Sequence, residues 1–225
     1  MSKFAQTTFT MVHDLSKSPS LLHQFVTEVR DQNIQQDRMR FRRNLERVGE
    51  VMAYEISKGL SYESKEVRSP LGIADVQSIK DEIVLATILR AGVPFHQGFL
   101  NYFDRAESAF VSAFRKYSKE EEFDIQVEYL AAPDLTGKTL IIVDPMLATG
   151  ASIWNVYKGL LGKGLPSSVH LAALIASRDG INYAKQKFPA NTQIWAGAID
   201  DELTAKSYIV PGLGDAGDLA YGPKD

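Results

Sequence analysis

The stretch "LIIVDPMLATGASIWNV" at 140–156 holds the residue types that chemistry on a phosphorylated sugar requires. An apolar run ends in Asp144, and a short turn through Ala148-Thr149-Gly150-Ala151-Ser152 leads into a helix. At the carboxyl end of a strand, Asp144 stands where open α/β sheets bind ligands. The turn supplies backbone N–H groups, Gly150 allows close approach, and the helix start carries a partial positive charge, which together form a phosphate cradle. The hydroxyls of Thr149 and Ser152 add donors. A ribose 5-phosphate fits this spacing, with its diol on Asp144 and its phosphate on 148–152. A capped strand–turn–helix, with Asp144 and Thr149 as local turn formers, fits these residues equally well. A P-loop is excluded: Gly159 to Gly164 has the right spacing but continues as Leu165-Pro166, without Lys-Ser/Thr.

Two further places hold candidate chemistry. Arg90 follows the apolar run 83–89 and precedes Ala91-Gly92. A guanidinium at a strand end beside a glycine can donate to two phosphate oxygens at once. An arginine in so apolar a segment needs a partner, because an unpaired charge there is costly to desolvate. Near the C-terminus, Gly212-Leu213-Gly214-Asp215-Ala216-Gly217 matches G-x-G-x-x-G. A dinucleotide turn needs a helix, a strand and an acidic residue about 20 positions on. The sequence ends at Asp225, so that reading fails. The residues alone favour a compact turn whose glycines allow positive φ. His13, His23, His96 and His170 are scattered without metal-ligand spacing.

The elements that must position these residues are legible as a pattern. "IVLATIL" (83–89), "AFVSAF" (109–114), "TLIIVD" (139–144), "VHLAALIAS" (169–177) and "QIWAGAI" (193–199) are continuous apolar runs. Such runs suit strands buried on both faces, as in a parallel sheet. Residues 152–163 and 180–187 read as helices between them. The alternation predicts an α/β fold with a central, mostly parallel sheet flanked by helices. The first 60 residues read as helical: Ser18 or Ser20 caps a helix through Val29, and a longer helix runs from Gln35 to Lys58, stopped by Gly59. In the longer one Phe41, Leu45, Val48, Met52 and Ile56 recur at three- and four-residue steps. Arg38, Arg40, Arg42 and Arg43 point in several directions and read as a solvated or subunit-contacting surface. The interval 116–128 reads as a plain surface hairpin or as a mobile cover over a site. Trp154, Phe188 and Trp195 read as core.

Composition bounds the rest. The 225 residues suggest one domain, 1–225. The net charge is −3, from 25 basic and 28 acidic side chains, which argues against general affinity for nucleic acid or an anionic membrane. There are no cysteines, so thiolate metal sites and cysteine nucleophiles are excluded. No apolar run approaches the roughly 18 residues of a membrane span, and the first residues lack a signal-peptide core. The expectation is a cytoplasmic protein.

"IIVDPMLATGAS" resembles the phosphoribosyl-pyrophosphate motif of type I phosphoribosyltransferases in the variant of uracil phosphoribosyltransferase. "ILRAGVPF" (88–95) and "YIVPGLGDAGD" (208–218) are similar to two further motifs of that family, in the same order. The resemblance implies transfer of phosphoribosyl from phosphoribosyl pyrophosphate to N1 of uracil, giving UMP and pyrophosphate. It places the donor on Arg90, Arg115, Asp144, Pro145, Met146, Leu147, Ala148, Thr149, Gly150, Ala151, Ser152 and Asp215. It assigns uracil to Ile209, Gly214, Asp215 and Ala216 in a C-terminal hood loop over 200–225, with Asp215 as the candidate catalytic carboxylate. Backbone N–H and C=O groups of that loop would pair O4, N3–H and O2 and reject cytosine, whose amino group would face buried donors. The chain departs from the family in "RKYSKEEEF" after Arg115, where acidic residues and a threonine are common. Relative to other type I enzymes, Pro145 and Ala148 stand at acidic places. That leaves Asp144 alone for the ribose, with Mg2+ held mainly by the donor's oxygens and water and no protein metal site. A homo-oligomer, dimer or larger, and a GTP activator are also implied. The rival reading is a nucleotide-sensing regulator that binds RNA, against which stand the acidity and the lack of a basic face with interleaved aromatics.

Overall fold

The structure, a computed structural model, describes residues 11–117 and 123–224. The elements in chain order are β1 (Met11–Asp14), α1 (Leu21–Arg30), α2 (Arg38–Ser57), β2 (Tyr62–Ser69), β3 (Gly72–Ile79), β4 (Ile83–Leu89), α3 (Gly92–Leu100), β5 (Glu107–Tyr117) and β6 (Phe123–Ala131). They continue with β7 (Thr139–Val143), β8 (Met146–Leu147), α4 (Ala151–Leu160), β9 (Ser168–Ser177), α5 (Arg178–Lys187), β10 (Gln193–Asp200), β11 (Glu202–Leu203), β12 (Ile209–Val210) and α6 (Ala216–Tyr221).

One sheet organises the molecule, in the order β1-β10-β9-β7-β4-β5-β6. Every pairing along it is parallel except β5 with β6. β4, β7, β9 and β10 are buried along nearly their whole length, which is why they read as unbroken apolar runs. Their side chains alternate between two cores. Leu85, Ile141, Val143 and Leu174 face α1, α2 and α3. Val84, Ala86, Leu140, Ile142 and Leu171 face α4 and α5.

The helix starts follow local chemistry. The Ser20 hydroxyl accepts from the Leu22 N–H at 3.3 Å, while the Ser20 N–H donates to His23 Nδ1 at 3.3 Å, a reciprocal cap for α1. Asp37 accepts from the Arg40 N–H at 3.0 Å and starts α2 three residues later than the sequence suggests. Ahead of that cap, Ile34–Gln36 form a short 3-10 turn. The α2 stripe of Phe41, Leu45, Val48, Met52 and Ile56 is fully buried, as its spacing predicts. The Arg-rich start of α2 is tied inward more than expected. Arg40 pairs with Glu28 at 2.7 Å, and Arg42 donates to the Ala220 carbonyl at 2.7 Å. Of the three aromatic residues expected in the core, Phe188 and Trp195 are buried, while Trp154 is partly buried at the edge of the second core.

β5 and β6 form the antiparallel ribbon that the 116–128 pattern suggests, with Tyr117 opposite Phe123. Its tip, 118–122, lies outside the described residues, as do the side chains of 113–128. A second ribbon, β2 with β3, projects from the body with both faces exposed. The 61–82 interval gives no sequence signal for it. Among the described residues no helix is long and apolar enough to cross a membrane.

Candidate active site

The carboxyl ends of the parallel strands share one edge of the sheet, and a cavity of about 430 Å3 opens there. It gathers residues from several separate stretches. Arg90 follows β4. Asp144, Met146, Leu147, Ala148, Thr149, Gly150 and Ser152 follow β7. Ile209 lies on β12, and Gly214, Asp215 and Ala216 lead into α6. Two residues of the expected donor set do not line it. The Pro145 carbonyl accepts from the Ile175 N–H at 2.9 Å, and the Ala151 N–H donates to Thr149 Oγ1 at 3.4 Å. Arg115 sits on β5 opposite Ile125, and its side chain lies outside the described residues.

After β7 the chain does not leave the sheet at once. The Asp144 N–H donates to the Ala172 carbonyl at 3.1 Å, and β8 resumes pairing with β9, Met146 opposite Ile175. Asp144 is therefore held at its backbone by a neighbouring strand. Among the described residues its carboxylate accepts from the Met146 N–H alone, at 3.2 Å. The side chain still touches the cavity, yet desolvation pushes its carboxyl up to about 7, against the smaller lowering effect of that hydrogen bond. A hydrogen-bond donor or a cation at this carboxylate would supply what the ionised form lacks.

The 148–152 turn is braced from behind by α5. Ser177 donates to the Ala148 carbonyl at 2.5 Å and accepts from the Gly180 N–H at 2.8 Å. Gly150 precedes α4 at φ +79°, and a Cβ there would stand 2.9 Å from the Tyr183 ring. Close packing and left-handed backbone both call for glycine. The turn thus has its back against another helix while Ala148, Thr149, Gly150 and Ser152 line the cavity.

The C-terminal loop forms the facing wall. Ile209 pairs with Leu203, the Val210–Pro211 peptide is cis, and Asp215 caps α6 by accepting from the Asp218 N–H at 3.0 Å. Asp215 thus has a structural task in addition to its place in the cavity wall. Arg90 reaches this loop: it pairs with Asp218 at 2.6 Å and donates to the Gly222 carbonyl at 3.1 Å.

The family model for uracil phosphoribosyltransferase matches residues 16–223. The chain belongs to the uracil phosphoribosyltransferase family. A curated relative of that name from Porphyromonas gingivalis is 59% identical over 210 residues, 93% of this chain and 97% of its own. The uracil phosphoribosyltransferase of Pyrococcus furiosus is 37% identical over 214 residues, covering 94% and 90%. A solved protein from Aquifex aeolicus superposes with a TM-score of 0.84 at 33% identity, covering 94% of this chain and 98% of its own. In this member of the uracil phosphoribosyltransferase family the cavity wall also includes Ser112, Ser207 and Lys224, which lie outside the three sequence motifs, and Tyr208, the first residue of the last one. Ser207 has φ +61°, uncommon for a non-glycine residue, and Tyr208 is 45% exposed. Asp218 is the last residue of the 208–218 motif. Its link to Arg90 spans 128 positions and is visible only in the fold.

Proposed function

We propose that the cavity carries out the transfer of the 5-phosphoribosyl group from phosphoribosyl pyrophosphate to N1 of uracil, forming UMP and releasing pyrophosphate. The observation that carries the proposal is the convergence, around one space, of Arg90, Asp144, the 148–152 turn and the loop Ile209/Gly214–Ala216. Those are the separate contacts that pyrophosphate, ribose, 5-phosphate and base require.

In the reaction the bond from C1′ of ribose to the pyrophosphate oxygen breaks, and a bond from C1′ to uracil N1 forms. Arg90 stabilises charge gathering on the departing pyrophosphate, with Arg115 assigned the same task from β5. Asp144 accepts hydrogen bonds from the ribose diol, and the turn fixes the 5-phosphate through backbone N–H groups and the hydroxyls of Thr149 and Ser152. Mg2+ would be held mainly by the oxygens of phosphoribosyl pyrophosphate and water, and the oxygen-bearing side chains of the wall, Asp144 and Asp215, suit the neighbourhood of such a hard ion without forming a protein site for it. When bound, such an ion adds charge neutralisation at the pyrophosphate. The backbone of Gly214–Ala216 pairs the pyrimidine edge. Asp215, whose Oδ1 caps α6, is assigned to receive the N1 proton on its other oxygen.

The proposal treats 1–225 as one phosphoribosyltransferase domain, with 1–60 as its helical part and 200–225 as the base-binding tail. Both substrates are water-soluble metabolites, which supports a cytoplasmic location. Purified protein with magnesium, phosphoribosyl pyrophosphate and a panel of bases should form UMP and little else. Equal turnover of adenine, orotate or cytosine overturns the assignment. A GTP titration and a sedimentation run on the same preparation test the accompanying expectations of activation and of a dimer or larger assembly.

A further inference from the structure

Recognition by backbone groups poses a mechanical problem. If N–H and C=O groups of Gly214–Ala216 read the pyrimidine edge, no side chain of the loop does the reading, and something else must fix the backbone. The nearest peptide with both polar groups engaged from outside the loop is Gly212. Its N–H donates to Asp200 Oδ2 at 2.9 Å, and its carbonyl accepts from Arg30 Nη1 at 2.9 Å. Arg30 and Asp200 are joined by two bonds of 2.8 Å, Nη1 to Oδ2 and Nη2 to Oδ1. The three residues close a ring of charge-assisted hydrogen bonds.

Their places in the fold make this ring a clamp. Arg30 is the last residue of α1, and Asp200 is the last residue of β10. Neither lines the cavity. Asp200 is 7% exposed and the Arg30 side chain 22%. Gly212 has φ +55°, and a Cβ there would stand 2.1 Å from the Ile209 carbonyl oxygen, so the ring closes on a backbone shape that calls for glycine. A second contact from the helical part adds to it: with the Gln35 amide assigned so that its nitrogen faces the loop, that nitrogen donates to the carbonyls of Val29 and Leu213 at 2.9 Å. A buried ion pair gives little net stability over apolar packing of the same volume. What a bidentate pair supplies is direction, here applied to a peptide two residues before Gly214.

We propose that Arg30 and Asp200 are positioning residues for pyrimidine recognition. They hold the Gly212 peptide so that the Gly214–Ala216 backbone faces the base, and they set affinity for the base while leaving the sugar-phosphate contacts unchanged. This rests on the base-loop reading given under the proposed function.

The test is calorimetric titration of UMP and, separately, ribose 5-phosphate into the wild-type protein, Asp200→Asn, Arg30→Met and the double variant Arg30→Met/Asp200→Met. UMP carries the base; ribose 5-phosphate does not. Misplacing the loop should weaken UMP by about 10- to 100-fold in each variant while ribose 5-phosphate stays within about twofold. The double variant separates positioning from folding. It strands no buried charge, so its melting temperature should recover toward wild type while its UMP defect persists. Steady-state kinetics should show the same split, with KM for uracil raised and KM for phosphoribosyl pyrophosphate little changed. Unchanged UMP binding, equal weakening of both ligands, or a double variant that regains UMP affinity along with stability each overturns the proposal. A wild-type protein that binds UMP no better than ribose 5-phosphate and forms no UMP overturns the functional reading itself, a result distinct from failure of the clamp.

Discussion

Arg90 has two claims on one guanidinium. In the structure it pairs with Asp218 and donates to the Gly222 carbonyl, whereas the proposed reaction needs it on pyrophosphate. Asp218 therefore stands where a second anion would compete. The pair is about one-third exposed on both sides, which limits its strength. Asp218→Asn should release Arg90 and lower KM for phosphoribosyl pyrophosphate by about two- to fivefold, the range an exposed pair of up to about 1 kcal/mol permits. Initial rates against donor concentration check this, and a raised KM would show that Asp218 helps the arginine instead of holding it back. At this scale the sequence was partly legible. Arg90 stood out because a charge at the end of an apolar run must have a partner, and Asp144 because it ends a strand before a glycine turn. The partner itself was not legible, since only the fold, with α6 packed on α2, brings Asp218 within reach of Arg90.

The elements that deliver these residues differ in how plainly they announce themselves. Strands buried on both faces carry few polar residues, and only with partners or near their ends, so β4, β7, β9 and β10 are visible as largely apolar runs. The ribbon of β2 and β3 is exposed on both faces and has no burial pattern to display. β12 and α6, at two and six residues, are shorter than any periodicity could mark. α3 was missed for a different reason: Gly92, Pro94 and Gly98 mask its helical character, although most of its residues are buried. The 148–152 turn is the element whose glycine was readable from local rules, because left-handed backbone and close packing both require it. Gly150→Ala forces a Cβ into left-handed backbone, costing about 1–2 kcal/mol, and pushes it toward Tyr183. The start of α4 must then shift, so KM for phosphoribosyl pyrophosphate should rise about tenfold or more, as expected for a displaced binding turn. Removing the ring as well, in Gly150→Ala/Tyr183→Ala, relieves the contact but not the φ, and should restore little. Full recovery in that double variant would assign the effect to crowding alone.

For the whole molecule the site is a thermodynamic cost, and Asp144 is where it concentrates. Its carboxyl titrates near 7 in the folded state and near the ordinary 3.8 when unfolded. Below about pH 4 both states hold the proton, and the residue does not affect stability. Between about pH 4 and 7 the unfolded chain releases its proton while the folded one keeps it, so stability falls as pH rises. Above about pH 7 the carboxylate is ionised in both states and the cost is constant, at most about 4 kcal/mol and less because the side chain still touches cavity water. Asp144→Asn carries no such charge. The ligand-free variant should match wild type near pH 4 in urea unfolding, become the more stable protein as pH rises to about 7, and keep a constant advantage above it. It should also be the poorer enzyme, since the ribose diol loses a charged acceptor. Parallel stability curves for the two proteins across that range would mean that the wild-type carboxyl titrates normally, and the desolvated seat for the ribose would have to be abandoned. Magnesium with phosphoribosyl pyrophosphate should narrow the gap at neutral pH, because a ligand that engages the ionised carboxylate stabilises only the wild-type folded state through that contact.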